Sequence, residues 1–434
     1  EFTNWPTNVM GNSGPSITGN KSSVRFVAAA ACNVDCGGVY PLNYSQSNPT
    51  IINNIYTNGD PLAGGTAGNE PGLISHAYTN NTDYNITTIV KQNLIGSAWG
   101  KAWNKFEKKL IVASFLKRHS GYGPLGPGGL YILNYTNPGS PVFSQLIDVT
   151  TIGINVGQAL IPSNAARGLL ANKDTPNKDA AVFGLVAKAG IGGIDLSEDG
   201  NMLYLMNLYD RKIYSINFTN YWNTGTLPTA SDVTSFAIPD PGCTGGDYRP
   251  FALKVYNGVL YTGLVCDGST GTKSNMVAYV KGMDLTTNTW FDVFDFPLTY
   301  PKGYPDQQDG SKVGWYKWSD VMSDVWNGTG SILHPVPILS DIEFDLDGTM
   351  VLALMDRTPQ QMGHENYDNP ALNGGAFIAA GGDYLRAFYS NGAYVLENAA
   401  KAGPNVGYYP TNNQGPGFGE FYNDNIDGGV KYHT

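Results

Sequence analysis

The chain has 434 residues, a net charge of −10 and only 14% charged residues, with 54 glycines and 27 tyrosines. This composition suits strands, tight turns and polar loops better than helices. No basic cluster is longer than Lys117-Arg118-His119, which argues against a nucleic-acid partner because such proteins neutralise phosphates with a basic stripe. No run of about 20 apolar residues predicts a membrane span.

Strand patterns in the N-terminal third are faint. Residues 23–28 and 37–40 read as a first pair of strands, and 109–115 leads through a Gly/Pro-rich loop to a strand at 129–134. Residues 45–95 are rich in Asn, Thr, Gly and Pro, which predicts an inserted loop. The first residues lack a basic region followed by an apolar stretch, so we expect that any signal peptide has been removed.

The clearest unit is a strand, an Asp-Gly turn and a second strand at 192–207, followed by a third strand at 211–216. Residues 339–355 repeat this unit, and alignment of the two turns puts Gly200 on Gly348. A further copy at 250–265 is built around an Asn-Gly turn. Repeated antiparallel units of this kind predict the blades of a β-propeller.

The predicted fold is therefore all-β, a β-propeller of six or seven four-stranded blades with long loop insertions. Hairpins are readable near residues 30, 120, 200, 258 and 348, and the remaining blades are expected within the loops or beyond the chain. No linker divides the sequence, so residues 1–434 are predicted to form one propeller domain. We expect it to lack its last blade segment, with the native chain continuing past Thr434.

The four cysteines form two local pairs, Cys32 with Cys36 and Cys243 with Cys266. Each pair would close a disulfide in an oxidising compartment, which the composition favours, whereas Cys-x-x-x-Cys in the cytosol would suggest metal or redox chemistry. Sequons of the Asn-x-Ser/Thr type permit glycosylation without requiring it. They stand at Asn20, Asn43, Asn80, Asn85, Asn134, Asn217 and Asn327.

Acidic residues recur near equivalent places in the repeats, at Asp195, Asp247, Asp341 and Glu343. Because the innermost strands of a propeller line a central channel, these carboxylates would converge there on one calcium ion. The alternative is that they bond to neighbouring backbone amides and turns. Calcium is the one cofactor that the sequence suggests.

A second set of charged residues lies at the ends of predicted strands. Its members are Lys117, Arg118, His119, Arg249, Asp356 and Arg357. Loops at strand ends on one face of a rigid ring are a common place for a binding site, here for a glycan or a peptide carboxylate. Ion pairs that hold adjacent blades together are the alternative.

Aromatic residues such as Trp315 and Trp318 are frequent in the predicted loops. They either stack on sugars at the surface or pack beneath the long loops. The sequence has no His-Glu-x-x-His, no Gly-x-Ser-x-Gly and no phosphate-binding loop. No reaction is therefore identified.

The chain resembles a family of largely uncharacterised bacterial extracellular proteins in which a propeller region precedes immunoglobulin-like repeat modules. The resemblance is carried by residues 115–124, 192–200, 247–251, 338–345 with 355–357, and 415–422. It implies secretion, a propeller fold and a place in surface adhesion or an extracellular assembly, and it implies no catalytic residues.

Together these observations predict an extracellular or cell-surface module. Its partner would be a surface glycan or protein, or copies of itself in an assembly. The alternative is a calcium-dependent propeller enzyme that acts on glycans or lactones.

Overall fold

The computed structural model describes residues 50–77, 86–300, 314–325, 334–345, 348–363, 366–367 and 381–397. Cys32, Cys36, the strand pair predicted at 23–28 and 37–40, and residues 415–422 lie outside the described residues. Within the described ranges, strands form five antiparallel sheets that we number as blades 1 to 5 in chain order.

The five blades differ in strand number, since blade 1 has three strands and blades 2 to 5 have four. The strands are, in blade 1, β1 (Thr50–Asn54), β2 (Pro71–Ala77) and β3 (Thr87–Lys91); in blade 2, β4 (Ala98–Asn104), β5 (Lys109–Ser114), β6 (Gly129–Asn134) and β7 (Val142–Asp148); in blade 3, β8 (Ile191–Leu196), β9 (Met202–Asn207), β10 (Lys212–Asn217) and β11 (Val233–Ala237); in blade 4, β12 (Tyr248–Tyr256), β13 (Val259–Cys266), β14 (Val277–Asp284) and β15 (Trp290–Pro297); in blade 5, β16 (Pro337–Phe344), β17 (Met350–Asp356), β18 (Asp383–Ser390) and β19 (Ala393–Leu396).

Short helices lie between the strands. The α-helices are α1 (Thr66–Asn69), α2 (Gln92–Ile95), α3 (Thr219–Thr224), α4 (Met322–Val325) and α5 (Thr358–Met362), and the 3-10 helices are Gly126–Gly128, Val149–Ile152, Gln158–Leu160, Ala180–Leu185, Ala230–Asp232 and Lys273–Asn275. In the described part of the chain, none of these helices combines the length and the apolar character needed to cross a membrane.

The predicted Asp-Gly and Asn-Gly turns join the first two strands of blades 3, 4 and 5. Gly200 and Gly348 have φ of 76° and 82°, and the pair Asn257-Gly258 has φ of 50° and 74°. Positive φ at both central residues is the geometry of the tight hairpin turn that Asn-Gly favours. The repeat predicted from the sequence is therefore confirmed as a set of propeller blades.

The first strands of blades 2 to 5 are the innermost, and they pack against one another around the centre. Close approach between β8 and β12 depends on Gly193, because a Cβ atom there would lie 2.8 Å from Phe251 O and 2.9 Å from Leu253 N. Both neighbours are backbone atoms, which cannot rotate away. The packing of the innermost strands β8 and β12 therefore requires a residue without a side chain at position 193.

We expect Gly193→Ala to lower the free energy of unfolding by about 1–3 kcal/mol, because overpacking forces the two strands apart. Gly139→Ala is the control, since its Cβ would meet only Asn137 Oδ1 at 3.7 Å. Urea unfolding of both variants measures the difference. Equal stability of the two variants would contradict the role given to Gly193.

The antiparallel order gives each blade two faces. The loop face carries the connections between second and third strands of blades 2 to 5 and between successive blades, including 115–128, 149–190 and 357–363. In the three-stranded blade 1, the β1–β2 connection 55–70 lies on this face, where Gly59 N donates to His119 O at 2.8 Å. The hairpin face carries, in blades 2 to 5, the turns between first and second strands and between third and fourth strands, including 105–108 and 135–141. These two names are used below.

The number of blades differs from the prediction of six or seven, because the described residues form five. Residues 45–95 were expected to form a loop, yet they contain the three strands of blade 1. Its strands β1 and β2 are joined through 55–70 rather than by a tight turn, so no turn residues mark the pair. The long segment 149–190, in contrast, adds 3-10 helices and core residues to the loop face and forms no further blade.

The core lies between the blades and beneath the loop face. Trp315 and Trp318 are each only 1% exposed and belong to the largest apolar cluster, with residues of blades 3, 4 and 5. These two aromatic residues therefore pack under the loops, as one of the two alternatives predicted. The disulfide Cys243–Cys266 is confirmed, with Cα atoms 5.4 Å apart, and it joins the segment before β12 to the end of β13.

Candidate functional site: a buried charged cluster on the loop face

The structure brings most of the predicted charged residues together on the loop face. Lys117, Arg118 and His119 directly follow β5, and Asp356 and Arg357 stand at the end of β17. Chain direction is the reason, because the second strands of blades 2 to 5 end at the same face. All five side chains are buried, so their partners decide what they do.

Arg118 joins three segments of the chain. Its guanidinium donates to Asp179 O at 2.8 Å and to Lys178 O at 2.6 Å. It also donates to Gln361 O at 2.9 Å and to Tyr367 O at 2.7 Å. The planar guanidinium offers five N–H donors in a fixed geometry, and here it binds carbonyls of the segment before blade 3 and of the connection between β17 and β18 in blade 5.

Arg167 and Asp179 form an ion pair whose side chains are both 0% exposed. Arg167 donates Nη2–H to Asp179 Oδ2 at 2.6 Å and Nε–H to Oδ1 at 3.0 Å. Asp179 Oδ2 also accepts from the backbone N–H of His119 at 2.7 Å. A buried pair of this kind is tolerated only with close geometry and further hydrogen bonds, and both are present.

Lys117 is a buried cation on the same face. Its Nζ donates to Pro359 O at 3.0 Å and to Gln360 Oε1 at 3.1 Å, and it lies 5.2 Å from the centre of the Tyr56 ring. No carboxylate lies within ion-pair distance of Nζ in the part of the chain that the structure describes. Burial lowers the pKa of Lys117 from 10.5 to about 7, because desolvation disfavours the charged amine.

His119 is held as a neutral ring. Its Nδ1 lies 2.7 Å from Asn177 Oδ1; an amide oxygen only accepts, so Nδ1 donates the proton. Burial first, and then the nearby Arg118 charge, hold the pKa of His119 well below 6.5. At neutral pH this histidine contributes a hydrogen bond rather than a charge.

Arg357 forms a second cluster of buried contacts, beside the cluster around Arg118 and Asp179. It donates to Val186 O at 3.0 Å, Ser319 O at 2.8 Å and Gly184 O at 3.1 Å, and it pairs with Asp320 at 3.1 Å. Its guanidinium lies 4.4 Å from the centre of the Trp318 ring. Burial lowers the pKa of Arg357 to about 10. The residue thus fixes the segments that follow blades 2 and 4.

Asp356 and Arg249 complete the cluster around Arg357. Asp356 accepts from the backbone N–H groups of Val336 at 2.8 Å and Thr358 at 2.9 Å. Arg249 pairs with Asp267 at 2.7 Å and with Asp247 at 3.0 Å. Hydrogen bonds and the positive Arg249 hold the pKa of Asp267 below its usual value despite burial.

These contacts correspond to the alternative interpretation, in which the charged residues brace the blades. Most acceptors, however, are backbone carbonyls and not the carboxylates that were expected. The arrangement holds long loops in fixed positions across blades 2 to 5. A direct role of Lys117, Arg118, His119, Arg249, Asp356 and Arg357 in binding a ligand stays a prediction.

The carboxylates predicted to bind calcium occupy different surroundings. Asp195 accepts from the N–H of Val255 at 2.9 Å, and Lys254 Nζ lies 2.5 Å from Glu343 and 4.0 Å from Asp195. Asp341 accepts from Ile342 N at 3.1 Å. Asp247 is at the loop face with Arg249.

Among the residues that the structure describes, no three His, Cys, Asp or Glu side chains are grouped as a metal site would need. Lys254 lies between Asp195 and Glu343, so its ammonium group already pairs with both carboxylates. Calcium binding by Asp195, Asp247, Asp341 and Glu343 stays a prediction.

Sequence reasoning missed Arg167, Asp179 and Asn177, which are central to the cluster. They lie in the segment 149–190, where the sequence shows no strand pattern or known motif. A basic and an acidic residue 12 positions apart in a loop carry no signal that they will be buried together. The burial of three successive basic residues, Lys117, Arg118 and His119, after β5 likewise has no signal in the sequence.

No protein-family model matches the chain. It is similar to Colossin-A of Dictyostelium discoideum, 25% identical over 401 residues that make up 89% of this chain and 3% of Colossin-A. It is also similar to Colossin-C of the same organism, 25% identical over 412 residues that make up 91% of this chain and 37% of Colossin-C. The chain thus spans a small part of these curated relatives.

Among solved structures, a thermostable family-43 glycoside hydrolase aligns with 85% of this chain and 94% of its own at 11% identity and a TM-score of 0.38. The resemblance seen in the sequence was to bacterial proteins, whereas the two relatives above come from Dictyostelium. Secretion and downstream immunoglobulin-like modules stay predictions.

Proposed function

We propose that this chain is an exported propeller module that acts in recognition or assembly outside the cell, through its loop face. Its partner is a surface glycan, a surface protein or another copy of the chain. One observation carries the proposal: Lys117, Arg118 and Arg357 use their donors within the protein, on carbonyls of loop-face segments. This arrangement holds the loops as a rigid platform, and rigid surfaces bind with a lower entropic cost.

Two further features support this proposal. The disulfide Cys243–Cys266 suits an oxidising compartment, where such bonds persist. The matched region is about the same size in two relatives, but it makes up 3% of one and 37% of the other. A stretch that recurs within proteins of very different length is what a module would show.

The loop face also presents apolar side chains to solvent. Leu62 and Leu170 are exposed and lie on adjoining segments, since Asp60 N donates to Leu170 O at 2.7 Å. Tyr209 is exposed on the connection between β9 and β10. Exposed apolar groups on a rigid frame are the usual contact points of a binding surface.

The test uses the full chain on a glycan array and in sedimentation velocity, with the double variant Leu62→Asp/Leu170→Asp. Phe106→Asp is the matched control, because Phe106 is exposed on the hairpin face. We expect the loop-face variant to weaken glycan binding or self-association at least about tenfold and the control to keep it. A chain that stays monomeric and binds neither glycans nor surface proteins would overturn the proposal.

The calcium-dependent enzyme that the sequence also suggests needs Asp195 and Glu343 to exchange Lys254 for a metal ion. A melting temperature that calcium raises and a chelator lowers would favour that alternative. An unchanged melting temperature would leave Lys254 as the partner of both acids.

A further inference from the structure

Two of the seven sequons lie in described residues, and both occupy the same place in adjacent blades. Asn134 is the last residue of β6 and Asn217 is the last residue of β10. Each of these strands is the third of its blade, so both asparagines stand at the hairpin face. We propose that Asn134 and Asn217 carry N-linked glycans that cover the hairpin face and leave the loop face open to partners.

The local geometry presents the reacting atom at both positions. Asn217 Oδ1 accepts from Thr219 N at 2.9 Å, and Asn134 Oδ1 accepts from Thr136 N at 2.9 Å and from Thr136 Oγ1 at 2.6 Å. Each amide oxygen is thus turned toward the threonine of its own sequon. The Nδ2 atoms make no hydrogen bond within the described residues, and Asn217 is exposed.

The modification exchanges one bond for another without a redox change. Asn Nδ2 forms a bond to C1 of an oligosaccharide whose donor is a polyprenyl pyrophosphate, and the C1–O bond to the pyrophosphate breaks. The pyrophosphate leaves with the electron pair, and Nδ2 loses one proton. This step needs passage through a secretory compartment, so it rests on the export proposed above.

Exposed apolar side chains surround Asn134, so a glycan at this position would cover apolar surface. Asn134 pairs with Lys109 on one side and Val142 on the other. Val142 is 64% exposed, and Phe106 in the turn that precedes Lys109 is 59% exposed. A bulky hydrophilic group at Asn134 would cover both side chains. Leu227 is likewise exposed on the hairpin face, in the β10–β11 connection that follows Asn217.

The experiment is peptide mass spectrometry of the full chain purified from the medium of a eukaryotic secretory host. We expect glycans at Asn134 and Asn217. Asn134→Gln and Thr136→Ala should each remove the first, and Asn217→Gln and Thr219→Ala the second. Thr136→Ser and Thr219→Ser, which keep the sequons, should retain them. Secreted, folded chain with both asparagines unmodified would overturn the inference.

A second readout separates this inference from the proposed function. Enzymatic removal of the glycans from folded chain should increase light scattering, and Phe106→Ser/Val142→Ser should suppress that increase. Loop-face binding is measured on the same samples. A chain that binds a partner but carries no glycan at Asn134 and Asn217 would refute only the glycan sites. A chain that carries both glycans but binds no partner would refute only the recognition role. Scattering that is unchanged after glycan removal would refute the shielding of the hairpin face.

Discussion

Replacement of Asp179 by asparagine should lower the free energy of unfolding by about 3–5 kcal/mol. Asp179 is fully buried and accepts two hydrogen bonds from Arg167 and one from His119 N. Asparagine has nearly the same shape and tolerates the left-handed backbone at this residue, where φ is 35°. The substitution therefore removes the charge and one of the two acceptor oxygens, and it leaves the Arg167 cation buried without its counter-ion.

Asp174→Asn is the matched control for this prediction. Asp174 pairs with Lys173 at 3.3 Å in the same long segment, but its side chain is 71% exposed. Exposed pairs contribute about 0–1 kcal/mol because water and salt screen them. Urea unfolding at pH 7 compares both variants with the wild-type chain. An Asp179→Asn variant within about 1 kcal/mol of the control would show that the pair does not support the loop face.

The parts of the fold that could be predicted are those whose backbone geometry requires particular residue types. Gly200, Gly348 and Asn257-Gly258 adopt positive φ, and such turns select particular residues, so blades 3 to 5 were readable. Blade 1 was not, because its first two strands are connected through 55–70, which contains α1 and several other turns. The prediction of six or seven blades was wrong because it assigned additional blades to the long loops, whereas the described residues form five.

The charged cluster was predictable in position but not in partners. Residues at the ends of second strands meet on one face as soon as the sheets are antiparallel, and Lys117 and Arg357 followed that rule. Their partners are mostly backbone carbonyls, such as Pro359 O and Ser319 O. Every residue has a carbonyl, so no sequence pattern distinguishes the ones that a buried cation will use.

Lys117 should make the protein more stable as the pH rises from about 7 to 9.5. Its folded pKa is about 7, against an ordinary 10.5, so within this window the unfolded chain binds nearly one more proton than the native chain. Stability rises with pH wherever the unfolded state binds more protons, here by up to about 1.4 kcal/mol per pH unit and about 3 kcal/mol in all. Below pH 7 both states are protonated, and the native state bears the full cost of a buried ammonium group.

Comparison with Lys117→Met isolates this contribution. The rest of the chain is identical in the two proteins, so the difference between their stability curves reports Lys117.

Lys188, whose pKa burial also lowers, adds to the slope of both proteins in the same way. Above pH 10 tyrosines such as Tyr214, whose pKa burial raises to about 12, act in the opposite direction because the native state then keeps more protons. The measurement therefore ends at pH 9.5.

Urea unfolding at intervals between pH 7 and 9.5 should show the rise in the wild-type chain and its loss in Lys117→Met. Lys117→Gln, which keeps a donor for Pro359 O, should lose the slope as well, and this separates the titration from the hydrogen bonds. Lys105→Met, at an exposed position, should keep the slope. Parallel curves for the wild-type chain and both Lys117 variants would mean that this amine stays charged in the folded protein, with a counter-charge or water reaching it.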